Sequence, residues 1–483
     1  MSTAEDGAQD GGRLGGRLTL ILLAMLWPAQ LLTAAGLLTS LSQAEIAQHF
    51  HTTQIAWFSL IYTLGVTLLT PFVAKFGDMV GKKRVMLVIT VIGLAGDLIT
   101  AVATNYETML IGRGLAAFYG PIAPLVFASI RDVFPRRHVG TASGAIGAST
   151  GIVLAVCPLV GGWLLDSFGF RGVLWFLTLC TAVGFFLVLA FVPETPVHAQ
   201  RTRFDWAGGI LLGGSAATLI YAVGKGAEWG WSDTKTIGLL VGSIAAATAF
   251  VLVERATSHP LLDVRMFTRR NAASVLTASS LGQGTVYAAG TMIVFLTLFP
   301  SIPGVSDGLG WSATHSAVVG LPAGIIVLPV GLAAGILTRR VDSRLPWMLG
   351  LLIVAAGYTA QAFYHHNEAQ VIATGVLTNL GVGLVLACAP IMIVGSVSAE
   401  EQGLASAMSG MLTGLVTAVV TQVMFIALNS SSTVLNGTRF YHDAGLTRAY
   451  LTLAGAVAAA LLVSLLIPRL RRPTDIEPAP LSA

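Results

Sequence analysis

Two ionisable side chains stand in stretches otherwise suited to hydrocarbon: Asp97, in an apolar run over 83–103, and Arg113, in the next run over 106–130. An arginine at the centre of a bilayer costs roughly 2.5–3.5 kcal/mol or more unless it is paired or faces a wet cavity, so it is a functional candidate by default. At about 1.5 Å per helical residue, Asp97 lies roughly 9 Å and Arg113 roughly 10 Å from the ends joined by the short turn between their runs. An Asp97–Arg113 ion pair is therefore expected. It has two readings: a static tie between neighbouring helices, or a switch in which a proton on Asp97 releases Arg113.

Other polar and aromatic residues recur among apolar positions. Trp27, Gln30, Tyr119, Gln283, Tyr287, Asn379 and Gln422 are candidates to line a mostly apolar central pocket. A run over 139–165 carries Gly144, Gly147, Gly151, Pro158, Gly161 and Gly162, although each helical glycine costs about 1 kcal/mol relative to alanine. In membranes the usual compensation is close helix approach or a bend. Cys157, Cys180 and Cys388 all fall in apolar runs, where thiols act as small hydrophobes. His365 and His366 lie in a loop with no further ligands in sequence, so no metal is expected. Glycine-rich stretches lack a phosphate-binding lysine, and neither catalysis nor a cofactor is indicated.

The elements that position these residues follow from composition. Of 483 residues 54% are hydrophobic and 10% charged, against roughly 25% charged in soluble domains, so the chain reads as an all-α polytopic membrane protein. Runs of about 20 apolar residues suit a bilayer-crossing helix. They fall near 18–40, 53–76, 83–103, 106–130, 139–165, 171–192, 205–224, 235–254, 271–299, 314–338, 345–364, 369–396, 402–429 and 447–468, which makes fourteen. With both termini on the cytoplasmic side, twenty-one of the 27 lysines and arginines sit in cytoplasmic segments and five in outer ones, with Arg113 inside a run. This sorting is the positive-inside pattern. It also explains the net charge of +4 without an anionic partner such as nucleic acid.

One turn orients the rest. Pro71 to Leu87 reads PFVAKFGDMVGKKRVML, in which Gly77, Asp78, Gly81, Lys82, Lys83 and Arg84 resemble the helix 2–3 loop motif of the major facilitator superfamily of transporters. Residues 335–344 resemble a degraded copy, with Arg339 where the acid would stand. Cys157-Pro158-Leu159-Val160-Gly161-Gly162 is similar to the fifth-helix motif of the antiporters, with Cys157 in place of a glycine. Phe204 to Gly208, Glu228 to Trp231 and Pro260 to Leu262 resemble the inserted hairpin of the fourteen-helix branch, the drug:proton antiporters.

The resemblance implies two pseudo-symmetric six-helix bundles, 18–192 and 271–468, with an inserted helix pair at 205–254 and cytoplasmic tails at 1–17 and 469–483. It implies a latch of Asp78, Gly81, Lys82 and Asp132, with Asp78 facing the start of the thirteenth helix near Gly403 to Ala405 and favouring the outward-open state. Gly151, Pro158, Gly161 and Gly162 take the antiporter positions. The implied protein is a monomeric exporter of hydrophobic or amphipathic small molecules in the cell membrane, exchanging protons and meeting membrane lipids. The alternative is an exporter or flippase of lipids or lipid-like natural products, mildly supported by the missing acid in the first helix. A non-transporting receptor on the same fold is a third class.

Overall fold

The computed structural model describes residues 16–194, 205–257, 264–338, 340–398 and 401–468. Most of both tails, the 195–204 linker and Arg339 lie outside them.

The first bundle begins with α1 (Gly16–Ala29) and α2 (Leu31–His49), followed by α3 (Ala56–Val80) and α4 (Lys82–Val102). Next come α5 (Tyr106–Ala116), a 3-10 turn (Ala117–Tyr119), α6 (Ile122–Val133) and α7 (Arg136–Phe191). Then follow α8 (Trp206–Trp229) and α9 (Thr234–Ala256). The second bundle comprises α10 (Arg270–Ala289), α11 (Met292–Thr297), α12 (Ala313–Leu337), α13 (Arg344–Phe363), α14 (Glu368–Gly395), α15 (Gln402–Asn429) and α16 (Asp443–Ser464).

Among the described residues twelve helical segments are long and apolar enough to cross a membrane. One of them, 141–191, is two rods. Gly169 adopts φ 66°, ψ −176°, a conformation open to glycine, and the chain reverses there. Gln30 bonds Ile146 and Ser149 early in the first limb, whereas Arg171 reaches Ala103 and Lys83 reaches Leu189 along the second. The α10–α11 rod is rich in glycine and serine and is not among the twelve. With these two added, the rods number fourteen.

Three rods are broken, two near their middles and the third, α10–α11, nearer its end. Pro28 and Gln30 divide α1 from α2, the 3-10 turn and Pro121 divide α5 from α6, and Gly290 and Thr291 divide α10 from α11. Each break frees backbone groups that an unbroken helix would have satisfied.

Both bundles cross their third and fourth rods on glycines. A Cβ on Gly96 would collide with the Ala116 amide and the Gly112 carbonyl, and one on Gly112 with Thr100. In the second bundle a Cβ on Gly381 would meet the Gly350 carbonyl, and one on Gly357 would meet Thr378. Absence of a side chain is what lets these backbones touch. The inserted pair packs on the seam between bundles: Gly209 and Gly213 of α8 lie against Phe72 and Leu68 of α3, and Gly224 lies against Gln422 of α15.

Two small hairpins, absent from the all-α expectation, occupy the loops read as turns. Strand β1 (Ser301–Ile302) pairs β2 (Ser306–Asp307), and β3 (Ser432–Leu435) pairs β4 (Thr438–Tyr441), each antiparallel. Asn436 (φ 49°) and Gly437 (φ 78°) supply the two positive-φ residues that a type I′ turn needs.

Candidate functional site

The site is built on the α4–α5 crossing. The close approach at Gly96 and Gly112 brings Asp97 and Arg113 into the protein interior, 2% and 1% exposed. They do not form the expected ion pair. Asp97 Oδ2 accepts a hydrogen bond from the Thr181 hydroxyl at 2.7 Å, on the second limb of α7, and Tyr119 donates to Oδ1 at 3.4 Å. Arg113 instead donates from Nη2 to Thr39 Oγ1 at 3.2 Å. Its guanidinium carbon lies 4.2 Å from the Tyr62 ring centroid and 4.8 Å from that of Phe58, within cation–π range.

The Tyr62 and Tyr119 rings, 6.2 Å apart, link the two charges through aromatic contact. The reason is rotational phase: at this crossing Asp97 turns toward α7 and Arg113 toward α2 and α3. Arg113 Nε and Nη1 are buried without a hydrogen-bond partner, a costly arrangement at rest. Thr39, Phe58, Tyr62 and Thr181 carry no sequence signal of this role, because threonine and aromatic residues are common in membrane helices.

The other candidates scatter. Gln30, at the α1–α2 break, is buried and donates to Ile146 O and Ser149 Oγ, leaving its Oε1 unpartnered. Tyr287, on α10, is 54% exposed, and Gln283 is half-buried one turn away. Asn379 is also half-buried, its amide donating to the Gly375 carbonyl of its own helix. Three residues differ from the expected pocket. Tyr119 is buried in the core against Asp97, Gln422 packs on Gly224 of α8, and Trp27 is tied to the Cys180 carbonyl at 2.8 Å.

The basic turn is compact. Gly81 (φ 105°) ends α3, and Gly77 lets Leu125 approach. Lys82 is buried, 2.5 Å from Asp132 and 3.7 Å from Asp78. Asp78 is about half exposed and Lys82 is its charged partner; among the described residues no bond joins it to the start of α15. Arg84 pairs with Glu194 at 3.3 Å, and on the same face Arg269 Nη1 donates to both carboxylate oxygens of Glu401, at 2.8 and 2.9 Å. Glu401, held by the Ser398 hydroxyl and by Arg269, titrates below the ordinary carboxylate range.

The two bundles meet at the opposite face. Asp166, at the end of the first limb of α7, accepts from the amides of Ala313 and Thr314 at 2.8 and 2.7 Å. These are the free N–H groups at the start of α12, where an anion is favoured. A shallow pocket of about 200 Å³, lined by Glu45, Gln48, Asp166 and Trp311 among others, sits at this junction. Thr438 bonds the Ala47 carbonyl from the β3–β4 hairpin.

Along the first limb of α7 the glycines report how this contact changes with depth. A Cβ on Gly162 would strike the Ala313 backbone, and one on Gly151 would strike Leu328, yet Gly144 and Gly147 are exposed with nothing within 4 Å. Gly144, Gly151 and Gly162 lie on one helical face, so that face is covered far from the basic turns and bare near them. On α15, Gly414 meets Thr67 of α3 whereas Gly410, one turn nearer the basic face, meets nothing. Gly161 rests on Leu38 and Leu41, and Pro158 lies within the same limb.

His365 and His366 are not without a further ligand, as the sequence suggested: Asp443, 77 residues beyond His366, joins them.

Comparison with known proteins agrees with this architecture. Among solved structures, an auto-inhibited POT family peptide transporter superposes with TM-score 0.65 at 17% identity, covering 95% of this chain and 99% of that one. The nucleoside transporter NupG (D323A mutant) gives 0.63 at 15%, covering 93% and 99%. At such identities the likeness is one of fold. Among curated relatives, Multidrug resistance protein Stp of Mycobacterium tuberculosis is 27% identical over 73% of this chain. The Tetracenomycin C resistance and export protein of Streptomyces glaucescens is 26% identical over 84% of this chain and 76% of its own length. The match spans 64% of the length of Stp. Residues 26–421 match the Major Facilitator Superfamily, and with two bundles joined at one face and parted toward the other, the chain belongs to that superfamily.

Proposed function

We propose that this protein exports hydrophobic or amphipathic small molecules across the cell membrane by alternating access, in exchange for protons, as a member of the fourteen-helix drug:proton antiporter branch. The basic face is cytoplasmic, with both termini on that side, and the protein works as a monomer among membrane lipids. Residues 18–192 and 271–468 form the two moving bundles, and 205–254 is an inserted pair bracing their seam. The observation that carries this reading is the glycine face of α7, covered by α12 at Gly151 and Gly162 and bare at Gly144 and Gly147. It supports a cleft that opens to the cytoplasm and is closed outside by the Asp166 cap on α12.

The mid-rod breaks at Gln30 and at the 3-10 turn support a binding region near mid-membrane, since interrupted helices in transporters mark such sites. Gln30 and the half-buried or exposed Gln283, Tyr287 and Asn379 are its polar points. With few charges among them, the region suits apolar cargo, in keeping with relatives named for multidrug resistance and for tetracenomycin C export.

Asp97 is the proton site. Ionised, its carboxylate accepts from Thr181 and Tyr119; protonated, it has an O–H to donate and holds those donors less firmly. That loosens α4 from the second limb of α7 and, through Tyr119 and Tyr62, alters the surroundings of Arg113. Asp78 docks at the start of α15 when the cytoplasmic side closes. The test uses everted membrane vesicles with an imposed pH gradient. Accumulation of a fluorescent hydrophobic cation driven by that gradient is expected. Gly147→Cys should be labelled by a membrane-impermeant maleimide from the cytoplasmic side and Gly162→Cys spared, against a background of three buried native cysteines. Equal labelling of the two positions, or no gradient-dependent accumulation, overturns the reading.

A further inference from the structure

We propose that the face opposite the basic turns carries a binding site for one divalent transition-metal ion of the zinc class, formed by His365, His366 and Asp443. Their ligand atoms lie within 4.8 Å of one another. His365 Nε2 is 2.9 Å and His366 Nε2 3.0 Å from the same Asp443 Oδ1, and the imidazole rings are stacked, 4.5 Å apart with 18° between planes. Among the described residues this is the one such group of three.

The hydrogen bonding around His365 makes the cluster more than a coincidence of polar side chains. Its Nδ1 lies 2.7 Å from the Gln361 carbonyl oxygen, which can only accept, so Nδ1 carries the hydrogen. In the neutral ring Nε2 then presents a lone pair to a carboxylate oxygen, which also only accepts. A proton or a metal ion on Nε2 resolves the contact. A proton on His365 Nε2 would serve that ring and the carboxylate alone, whereas one dication serves both nitrogens and the carboxylate together. A histidine that donates its second ring N–H to a backbone carbonyl is the usual outer-shell arrangement of a metal ligand, fixing tautomer and ring direction.

The dimensions agree. Bonds of 2.0–2.1 Å at tetrahedral angles set ligand atoms roughly 3.3 Å apart, so each nitrogen–oxygen separation needs to widen by a few tenths of an ångström, while the two nitrogens, within 4.8 Å of one another, close and the exposed His366 ring turns out of its stack to aim at the ion. The His365 side chain is 3% exposed, while those of His366 and Asp443 are 59% and 48% exposed, leaving a fourth position for water. Two imidazoles with one carboxylate favour zinc, nickel or copper over calcium or magnesium, which prefer all-oxygen shells. Asp307 adds negative charge alongside, its Oδ2 accepting from the Asp443 amide at 2.9 Å. A bound ion would clip the α13–α14 loop to the start of α16.

The experiment uses the full-length protein in detergent with any affinity tag removed. Zinc chloride is titrated against a chromophoric chelator, and thermal unfolding is followed by tryptophan fluorescence with zinc or magnesium chloride. One equivalent of zinc should bind and raise the unfolding midpoint, and magnesium should do neither. His366→Ala, at an exposed position that leaves folding intact, should weaken zinc binding at least tenfold and abolish the shift, and Asp443→Asn should weaken it as well. Absence of saturable zinc binding by the wild-type protein, or unchanged affinity in both variants, overturns the proposal.

Discussion

The two bundles cross their third and fourth rods in the same way and fill the crossing differently. In the first, Gly96 of α4 meets Gly112 of α5, and the residues that follow these glycines are Asp97 and Arg113. In the second, Gly350 of α13 meets Gly381 of α14, and the residues that follow are Leu351 and Val382, both buried. The second bundle packs with no charge at this place, so the packing itself does not require one. Asp97 and Arg113 are retained at an energetic cost that the second bundle avoids, which points to work beyond holding helices together.

The sharpest way to break this comparison is to give the second bundle the first one's charge. Leu351→Asp should cost roughly 3–5 kcal/mol, the penalty of an uncompensated buried charge, read as loss of folded protein by size exclusion. If the variant folds and unfolds like wild type, the second crossing tolerates charge and the contrast is empty.

Next in size, Gly96→Val and Gly381→Val should each destabilise by the roughly 1–3 kcal/mol of ordinary overpacking or more, because the added atoms meet backbone that cannot step aside. Similar falls in thermal unfolding midpoint would confirm that the crossings are mechanically equivalent. A large fall in only one would show that they are not.

The charges themselves should separate function from stability. Arg113→Met fills much the same volume without a buried cation whose Nε and Nη1 lack partners. It should leave the unfolding midpoint unchanged or raised, since apolar replacement of buried charge is often neutral or stabilising by about 1–4 kcal/mol. Asp97→Asn can still accept from Thr181 and should shift stability by under about 1 kcal/mol. Both should lower gradient-driven accumulation at least tenfold. Wild-type transport by either variant would return that residue to a static role.

The smallest effect belongs to the basic face. Glu401 has its folded pKa depressed, chiefly by the Ser398 hydroxyl and further by Arg269, so its contribution is present above the unfolded carboxylate pKa and lost as pH falls through the lower folded value. Glu401→Gln should flatten the acid limb of a stability–pH curve slightly and change nothing near neutral pH.

Much of this was legible in one dimension. Asp97 and Arg113 stand out because charges in apolar runs are rare, and the 77–84 turn because cations gather where helices leave the bilayer. The ion pair inferred from their similar depth did not form, because depth follows from counting residues whereas direction depends on helix rotation. The same limit hid Asp166 on α12 and the meeting of His365 and His366 with Asp443, contacts across 147 and 77 residues of chain.

Local transfer energies and residue spacing already dictate that the chain crosses a membrane many times, which turns share a face, and where costly charges and bare glycines lie. That Thr181 and Tyr119, and not Arg113, answer Asp97, and that the bundles close at one face and part at the other, emerges only once the helices are packed. Those outcomes depend on the rotational phase and tilt of packed rods. Backbone contacts between distant glycines set both, and no local stretch of sequence encodes such contacts.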